Sequence, residues 1–331
     1  MRSRTKLEIN GETIAKLFEK AGINDAENIT PLGAGEFNSV YAVDAAGKGY
    51  AIKIAPKEEP ANILTYEQQM MAQEIHYYDL MANQAKIRVP EIYYSDFSKT
   101  AVPTEYFIME RLAGTQIDQA ELSDQQMQEA EGKLAAMVAN MHSVKGDKFG
   151  YRQNQLYDNW HLAIQAMVVN LIEDGKRLGK RTKRGEKLLE YVNKNKQVLE
   201  RVECSLINFD IWPPNIFCDW DNGELNLSWI DPERCLWGDR IADFVCLDFM
   251  NMSLDEKTTI LQSYNQASDE PIVVGNEEKI RFAIMLGYLG LIMDVEKFAR
   301  YTIFHYGFWR NVIAARMLYS NCFTQLDELM N

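Results

Sequence analysis

The chain has 331 residues, 47% of them hydrophobic and 25% charged, the balance of a globular protein long enough for two domains or one large two-lobed unit. Lysine and arginine number 35 against 48 aspartates and glutamates, and the net charge of -13 excludes a general nucleic-acid-binding surface. The longest apolar run, FAIMLGYLGLIM at 282–293, is too short to span a bilayer and fits a buried core helix. Five scattered cysteines without a C-x-x-C pair suit a reducing compartment. The opening MRSRTKLEING lacks the apolar stretch of a secretory signal, so a cytoplasmic protein is expected.

Residues 10–22, NGETIAKLFEKAG, read as a short amphipathic helix ending at a glycine. The pattern then changes to strands and turns over 29–55: ITPLGAGEFNSVYAV, DAAGKG and YAIKIA. Residues 62–83 return to helix, and VPEIYYSD and EYFIMERL give two further strands. After Leu112 the character is helical, with SDQQMQEAEGKLAAMVANMHS at 123–143 opening on a serine cap. Residues 157–201 are helical too, their basic run GKRLGKRTKRGEK reading as a solvated face or connector. A strand pair occupies 204–231, and almost everything from 239 onward reads as helix. The expected class is α+β, with a β-rich amino-terminal lobe over 1–112 and a mainly helical lobe over 113–331.

Four places could carry chemistry. In GAGEFNSV, Gly33 and Gly35 between two strands let backbone amides approach phosphate oxygens, although a lone G-x-G also occurs in ordinary hairpin turns. In AIKIA, alternation puts Lys53 on one face with Ala51 and Ala55, where a cation could meet phosphates lying under the glycine turn. A buried lysine needs a carboxylate, and Glu67 and Glu74, seven apart, share one face of the following helix. Finally, INFDIWPPNIF at 207–217 runs into a hairpin signalled by Asn222-Gly223. Folding about that turn brings Asn215 beside Asp231, with Asp210 on the loop just before. One amide and two carboxylates form an incomplete set of hard oxygen ligands, which suits Mg²⁺ that keeps water and phosphate as its other ligands.

A glycine turn, a strand lysine, a helix glutamate, D-x-x-x-x-N and a later aspartate occur in that order in protein-kinase-like phosphotransferases. LAAMVANMHS, FDIWPPNIF and WIDPERCLWGDRIADF resemble signature segments of the aminoglycoside phosphotransferase family, and the likeness runs in order over about residues 25–250. This resemblance implies a protein-kinase-like two-lobed fold that transfers the γ-phosphoryl group of ATP or GTP. The acceptor would be a hydroxyl of an aminoglycoside-like or other amine or sugar alcohol. Gly33 to Val40 would form the nucleotide loop, Lys53 would hold the α and β phosphates, and Glu74 would orient it. The backbone of Glu110 and Leu112 would meet the base. Asp210 would act as base or orienting group, and Asn215 and Asp231 would hold Mg²⁺. Asp239 and Asp243 would brace the catalytic loop.

One departure stands out. Where the family has histidine and glycine before the catalytic aspartate, this chain has Asn208 and Phe209. The asparagine amide is expected to replace the histidine's hydrogen bond, whereas Phe209 places a side chain where there was none. These two residues motivate the alternative of a catalytically impaired nucleotide-binding regulatory protein with the same fold. The aromatics Trp160, Tyr288, Tyr301, Phe304, His305, Tyr306 and Trp309 could line an acceptor site or belong to the core.

Overall fold

A computed structural model describes residues 7–33, 37–56 and 63–330 of the chain. It divides into two units, Met1–Ile63 with Val89–Ala113 and Leu64–Arg88 with Gly114–Asn331.

The first unit is built on alternation. After helix α1 (Gly11–Lys20) come β1 (Glu27–Leu32), β2 (Ser39–Ala45) and β3 (Lys48–Ile54). Two later strands complete the sheet, β4 (Ile92–Asp96) and β5 (Tyr106–Glu110), and all neighbours pair antiparallel in the order β1-β2-β3-β5-β4. Tyr50, Ile52 and Ile54 of β3 join one apolar cluster with Tyr41 and Val43 of β2 and with Ile14, Leu17 and Phe18 of α1. Burying side chains of this size contributes roughly 1.5–3 kcal/mol each. Because successive strand side chains point to opposite faces, Lys53 is left on the face away from this cluster. The helix starts cleanly because the Asn10 side chain accepts from the Thr13 N–H at 2.9 Å.

The second unit begins with helix α2 (Met70–Asn83), which follows the lysine strand in sequence. The reason for its allegiance lies at its two ends. The N–H and hydroxyl of Thr65 donate to Asp174 at 2.7 and 2.9 Å, and Gln153 Nε2 donates to the Tyr66 carbonyl at 2.8 Å. At the other end the Trp229 N–H donates to the Arg88 carbonyl at 2.9 Å. Strand β6 (Thr115–Gln116) and helices α3 (Asp124–Ser143), α4 (Trp160–Arg177), α5 (Lys183–Lys194) and α6 (Lys196–Leu199) follow. Ser123 opens α3 with a capping box closed by Gln126. The basic run around 176–187 spans the α4–α5 connection, where Lys176 pairs with Glu173 at 2.7 Å and Arg181 with Glu186 at 2.9 Å.

Next come β7 (Ser205–Ile207), β8 (Ile216–Asp221), β9 (Glu224–Trp229) and β10 (Leu236–Gly238), then α7 (Thr258–Ala267), α8 (Asn276–Arg300) and α9 (Tyr306–Leu329). The run at 282–293 lies wholly inside α8 and is buried except for Met293, which is half-buried. Among the described residues no helix is long and apolar enough to cross a membrane. All five cysteines are buried and unpaired, packing as small hydrophobes. Burial pushes the Cys204 thiol up to about 12.

Strands β8 and β9 pair antiparallel from Ile216↔Trp229 to Asp221↔Glu224, turning through Asn222 at φ 51° and Gly223 at φ 85°. Strand β6 joins this hairpin through Thr115↔Cys218. Gly114 makes that junction possible: its φ is 91°, and a Cβ there would lie 2.3 Å from the Cys218 carbonyl oxygen. Gly114→Ala therefore combines an unfavourable φ with a backbone clash and should cost about 2 kcal/mol or more in urea unfolding. An unchanged midpoint would show that the junction has room to relax.

Candidate active site

The sequence INFDIWPPNIF begins where β7 ends. Its first two turns of direction are fixed by one carboxylate: Asp243 accepts the N–H of Asn208 at 3.1 Å and that of Phe209 at 2.7 Å. The same carboxylate lies 2.9 Å from His142 Nε2, and His142 Nδ1 lies 3.0 Å from the Tyr264 hydroxyl. These partners assign the proton to Nε2, with Nδ1 accepting from tyrosine. Asp243 thus braces the loop as expected. Among the described residues Asp239 makes no hydrogen bond to it; its side chain accepts from the Ile241 N–H and from Arg281, both at 3.0 Å.

The two unusual loop residues behave differently from each other. Phe209 has φ 54°, the left-handed region that favours glycine and costs other residues roughly 1–2 kcal/mol. Its ring is buried and lies 5.7 Å from Tyr288, and burial of a phenylalanine offsets that strain. The Asn208 amide corrects the sequence expectation. Both its side-chain nitrogen and oxygen are buried without a hydrogen-bond partner among the described residues. The backbone N–H, not the amide, ties this residue to the brace.

Asp210 comes next, half-buried. Burial raises its carboxyl above the usual range, opposed by the positive charge of Arg234, whose Nε stands 3.8 Å from Asp210 Oδ2. Pro213 and Pro214 then force a short 3₁₀ turn, Pro213–Asn215. Asn215 Nδ2 donates to the Asp210 carbonyl at 3.2 Å, which turns the amide and leaves its oxygen as a potential cation ligand. The hairpin brings the chain back, because the Ile230 N–H donates to the Asn215 carbonyl at 2.9 Å. Asp231 therefore follows directly beside Asn215. It adopts φ 63°, which aspartate tolerates, and its N–H donates to the Tyr78 hydroxyl at 2.9 Å.

Asp231 does not stand alone. Carboxylate oxygens of Glu74, Asp231 and Glu233 lie within 4.8 Å of one another. Glu233 escaped the sequence reasoning, although its place two residues beyond Asp231, across Pro232, was a usable signal. Each of the three offers a hard carboxylate oxygen at a spacing that one small cation could bridge. The residues present thus fit a divalent ion of the Mg²⁺ type.

The remaining expected residues are placed as follows. Gly33 follows β1 at φ 67°, and Gly35 lies outside the described residues. Val40 and Lys53 are register partners across β2 and β3, and Lys53 is buried. Glu110 ends β5 and donates its N–H to the Glu91 carbonyl at 2.8 Å, and Leu112 follows half-buried. Glu74 lies on α2, buried, in the carboxylate group just described. Glu67 is bound by Arg300. The aromatic set divides: Trp160, Tyr288 and Tyr301 are core, whereas Phe304, Tyr306 and Trp309 are 84%, 77% and 56% exposed.

The loop geometry makes a stability prediction. Phe209→Gly relieves strain yet empties a buried site, so a net loss of about 2 kcal/mol is expected in thermal or urea unfolding. A stabilised variant would mean that the ring contributes little.

The sequence model of the phosphotransferase enzyme family matches residues 28–280. No curated protein matches the chain in sequence. Among solved structures, a candidate aminoglycoside phosphotransferase of Ralstonia eutropha shares 12% identity at a TM-score of 0.65, with 97% of this chain and 99% of that one covered. A candidate fructosamine-3-kinase of Haemophilus somnus shares 18% identity at a TM-score of 0.65, covering 93% and 97%. A thermostable mutant of the aminoglycoside phosphotransferase APH(4)-Ia, in ternary complex with AMP-PNP and hygromycin B, shares 16% at a TM-score of 0.63, covering 95% and 98%. At these identities the structures establish the fold, which is kinase-like, with a β-sheet amino-terminal part and a helical carboxy-terminal part. The family match, spanning most of the chain, establishes the rest: this chain belongs to the phosphotransferase enzyme family and is a phosphotransferase.

Proposed function

We propose that this chain is a small-molecule kinase that transfers the γ-phosphoryl group of ATP or GTP to a hydroxyl of an aminoglycoside-like or other amine or sugar alcohol. One observation carries the reading: Asp210, Asn215 and Asp231, separate in sequence, stand together at the end of one hairpin, with the Glu74 and Glu233 carboxylates gathered around Asp231. The hydroxylated acceptors named in the solved relatives, hygromycin B above all, are consistent with it. The five unpaired thiols suit a reducing cytoplasm.

Asp210 faces the acceptor, taking or orienting its hydroxyl proton as the oxygen attacks phosphorus. Asn215, Asp231 and Glu233 would hold Mg²⁺, which when bound would neutralise charge on the transferring phosphates. Lys53, Val40 and Glu74 serve nucleotide binding with Gly33 and Gly35, and Glu110 and Leu112 offer backbone groups to the base. Little covalent chemistry is asked of the protein, so positioning of Asp210 is what the loop must supply. The backbone bonds to Asp243 support an active loop over an impaired one, since they survive the Asn208 and Phe209 departures.

Asp210→Ala should abolish transfer to every acceptor in a panel of hydroxylated amines, sugars and macrolides while leaving ATP binding nearly intact. Transfer at the wild-type rate would overturn the assignment. Lys53→Ala should instead raise the nucleotide KM or lower turnover, and an unaffected variant would remove Lys53 from the phosphate site. Asp243→Asn, which cannot accept both backbone N–H groups as the carboxylate does, should lower turnover on the order of 100-fold through misplacement of Asp210. Unchanged turnover would show that the loop holds its shape without the brace.

A further inference from the structure

A buried charge network lies beside the loop, and the transfer mechanism above leaves it without a task. Arg234 Nη2 donates to Glu296 Oε1 on α8 at 3.0 Å. Glu296 also accepts from the Tyr66 hydroxyl at 3.0 Å and pairs with Arg300, one helical turn on, at 2.7 Å. Arg300 in turn bonds Glu67, and the Arg234 guanidinium lies over the Tyr66 ring at 5.6 Å. Side chains of Glu67, Glu296, Arg300 and Arg234 are 1%, 9%, 10% and 14% exposed. A buried ion pair of this kind is costly to desolvate and gives little net stability, so its retention calls for another reason.

We propose that Glu296 is a positioning residue that holds the Arg234 guanidinium away from Asp210, leaving the Asp210 carboxylate open to the acceptor. The proposal rests on the reading of Asp210 as the group that meets the acceptor. Distances carry it: Arg234 is in hydrogen-bond range of Glu296 at 3.0 Å, but its Nε stops 3.8 Å from Asp210. A guanidinium is a rigid fork that closes on a carboxylate with two parallel bonds when nothing else engages it. Closure on Asp210 would occupy the oxygens that the acceptor hydroxyl needs.

The charge balance points the same way. The network holds two guanidinium groups, Arg234 and Arg300, against three carboxylates, Glu67, Glu296 and Asp210. Arg300 meets Glu67 and Glu296 and Arg234 meets Glu296, which leaves Asp210, the most exposed of the three at 20%, with the longest N···O distance at 3.8 Å. Burial alone would raise the Glu296 carboxyl, yet Arg300 and Arg234 hold it below its usual range, so it remains the ionised partner. The charged and titratable groups around Asp210 and Glu296 are Tyr66 and Glu67 before α2, Tyr151 before α4, Glu233, Arg234 and Cys235 after β9, Cys246 after β10, and Arg300 on α8.

The test is a pair of crystal structures and a kinetic comparison of Glu296→Gln and Glu296→Asp. In Glu296→Gln, Arg234 should close on Asp210 with two N···O distances of about 2.7–3.0 Å. Turnover, with the acceptor the panel identifies or with water in Mg-ATP hydrolysis, should fall about 10-fold or more while the nucleotide KM stays within about twofold. The double variant Glu296→Gln/Arg234→Met should regain part of that loss, because no guanidinium remains to close. Glu296→Asp keeps the charge and should retain more turnover than Glu296→Gln; if the glutamine variant does not fold, a turnover loss in Glu296→Asp at unchanged KM decides the matter. Arg234 remaining about 3.8 Å from Asp210 in Glu296→Gln, or a double variant no faster than the single one, would overturn the proposal. The crystal distances read the guanidinium whether or not transfer is found, so failure of the kinase reading is told apart from failure of this one.

Discussion

One carboxylate sets the loop that follows β7. Asp243, buried, accepts two successive backbone N–H groups, from Asn208 and Phe209, and is itself met by His142. Two bonds to consecutive amides fix a backbone direction more firmly than any side-chain contact, and charge-assisted bonds to an ionised acceptor are the stronger sort. Everything downstream inherits that direction: Asp210 is the next residue, and its carbonyl receives the Asn215 amide. The same constraint explains how a phenylalanine is tolerated at φ 54°, because its N–H is anchored and its ring is buried against Tyr288.

The second organising fact is the concentration of like charge. Glu74, Asp231 and Glu233 crowd together at the end of the hairpin, and nearby Asp210 stands beside an arginine already engaged with Glu296. The two groups meet the same electrostatic difficulty differently. Inside, guanidinium groups answer Glu67 and Glu296. At the carboxylate group, the hard oxygen atoms of Glu74, Asp231 and Glu233 lie close enough together to fit a divalent ion. Of the carboxylates around Arg234 and Arg300, Asp210 is the most exposed, at 20%, and the one with the longest N···O distance, 3.8 Å.

Much of this was readable in the chain, where the signal was local. Alternation in AIKIA assigns Lys53 to the face away from the α1 cluster, and Asn222-Gly223 announces the hairpin that returns Asp231 to Asn215. Motif order gave the family. What could not be read depends on long-range pairing. An amphipathic pattern says that α2 has a buried face but not against which neighbour, and the bonds from Thr65 to Asp174 that settle it join residues 109 apart. Arg300 and Glu67, 233 apart, are beyond any periodicity argument. Asn208 was misjudged because residue type suggests a side-chain hydrogen bond, whereas here the backbone makes it. Glu233 was passed over although only a proline separates it from Asp231.

The most direct measurement is a crystal structure of the chain with Mn²⁺ and a non-hydrolysable ATP analogue, with the cation located by its anomalous signal. The expected result is a peak about 2.0–2.3 Å from an Asp231 oxygen, with Asn215 or Glu233 completing its protein ligands. A bound nucleotide whose cation stands clear of Asp231, Asn215 and Glu233 would contradict the assignment of this hairpin end as the catalytic metal site.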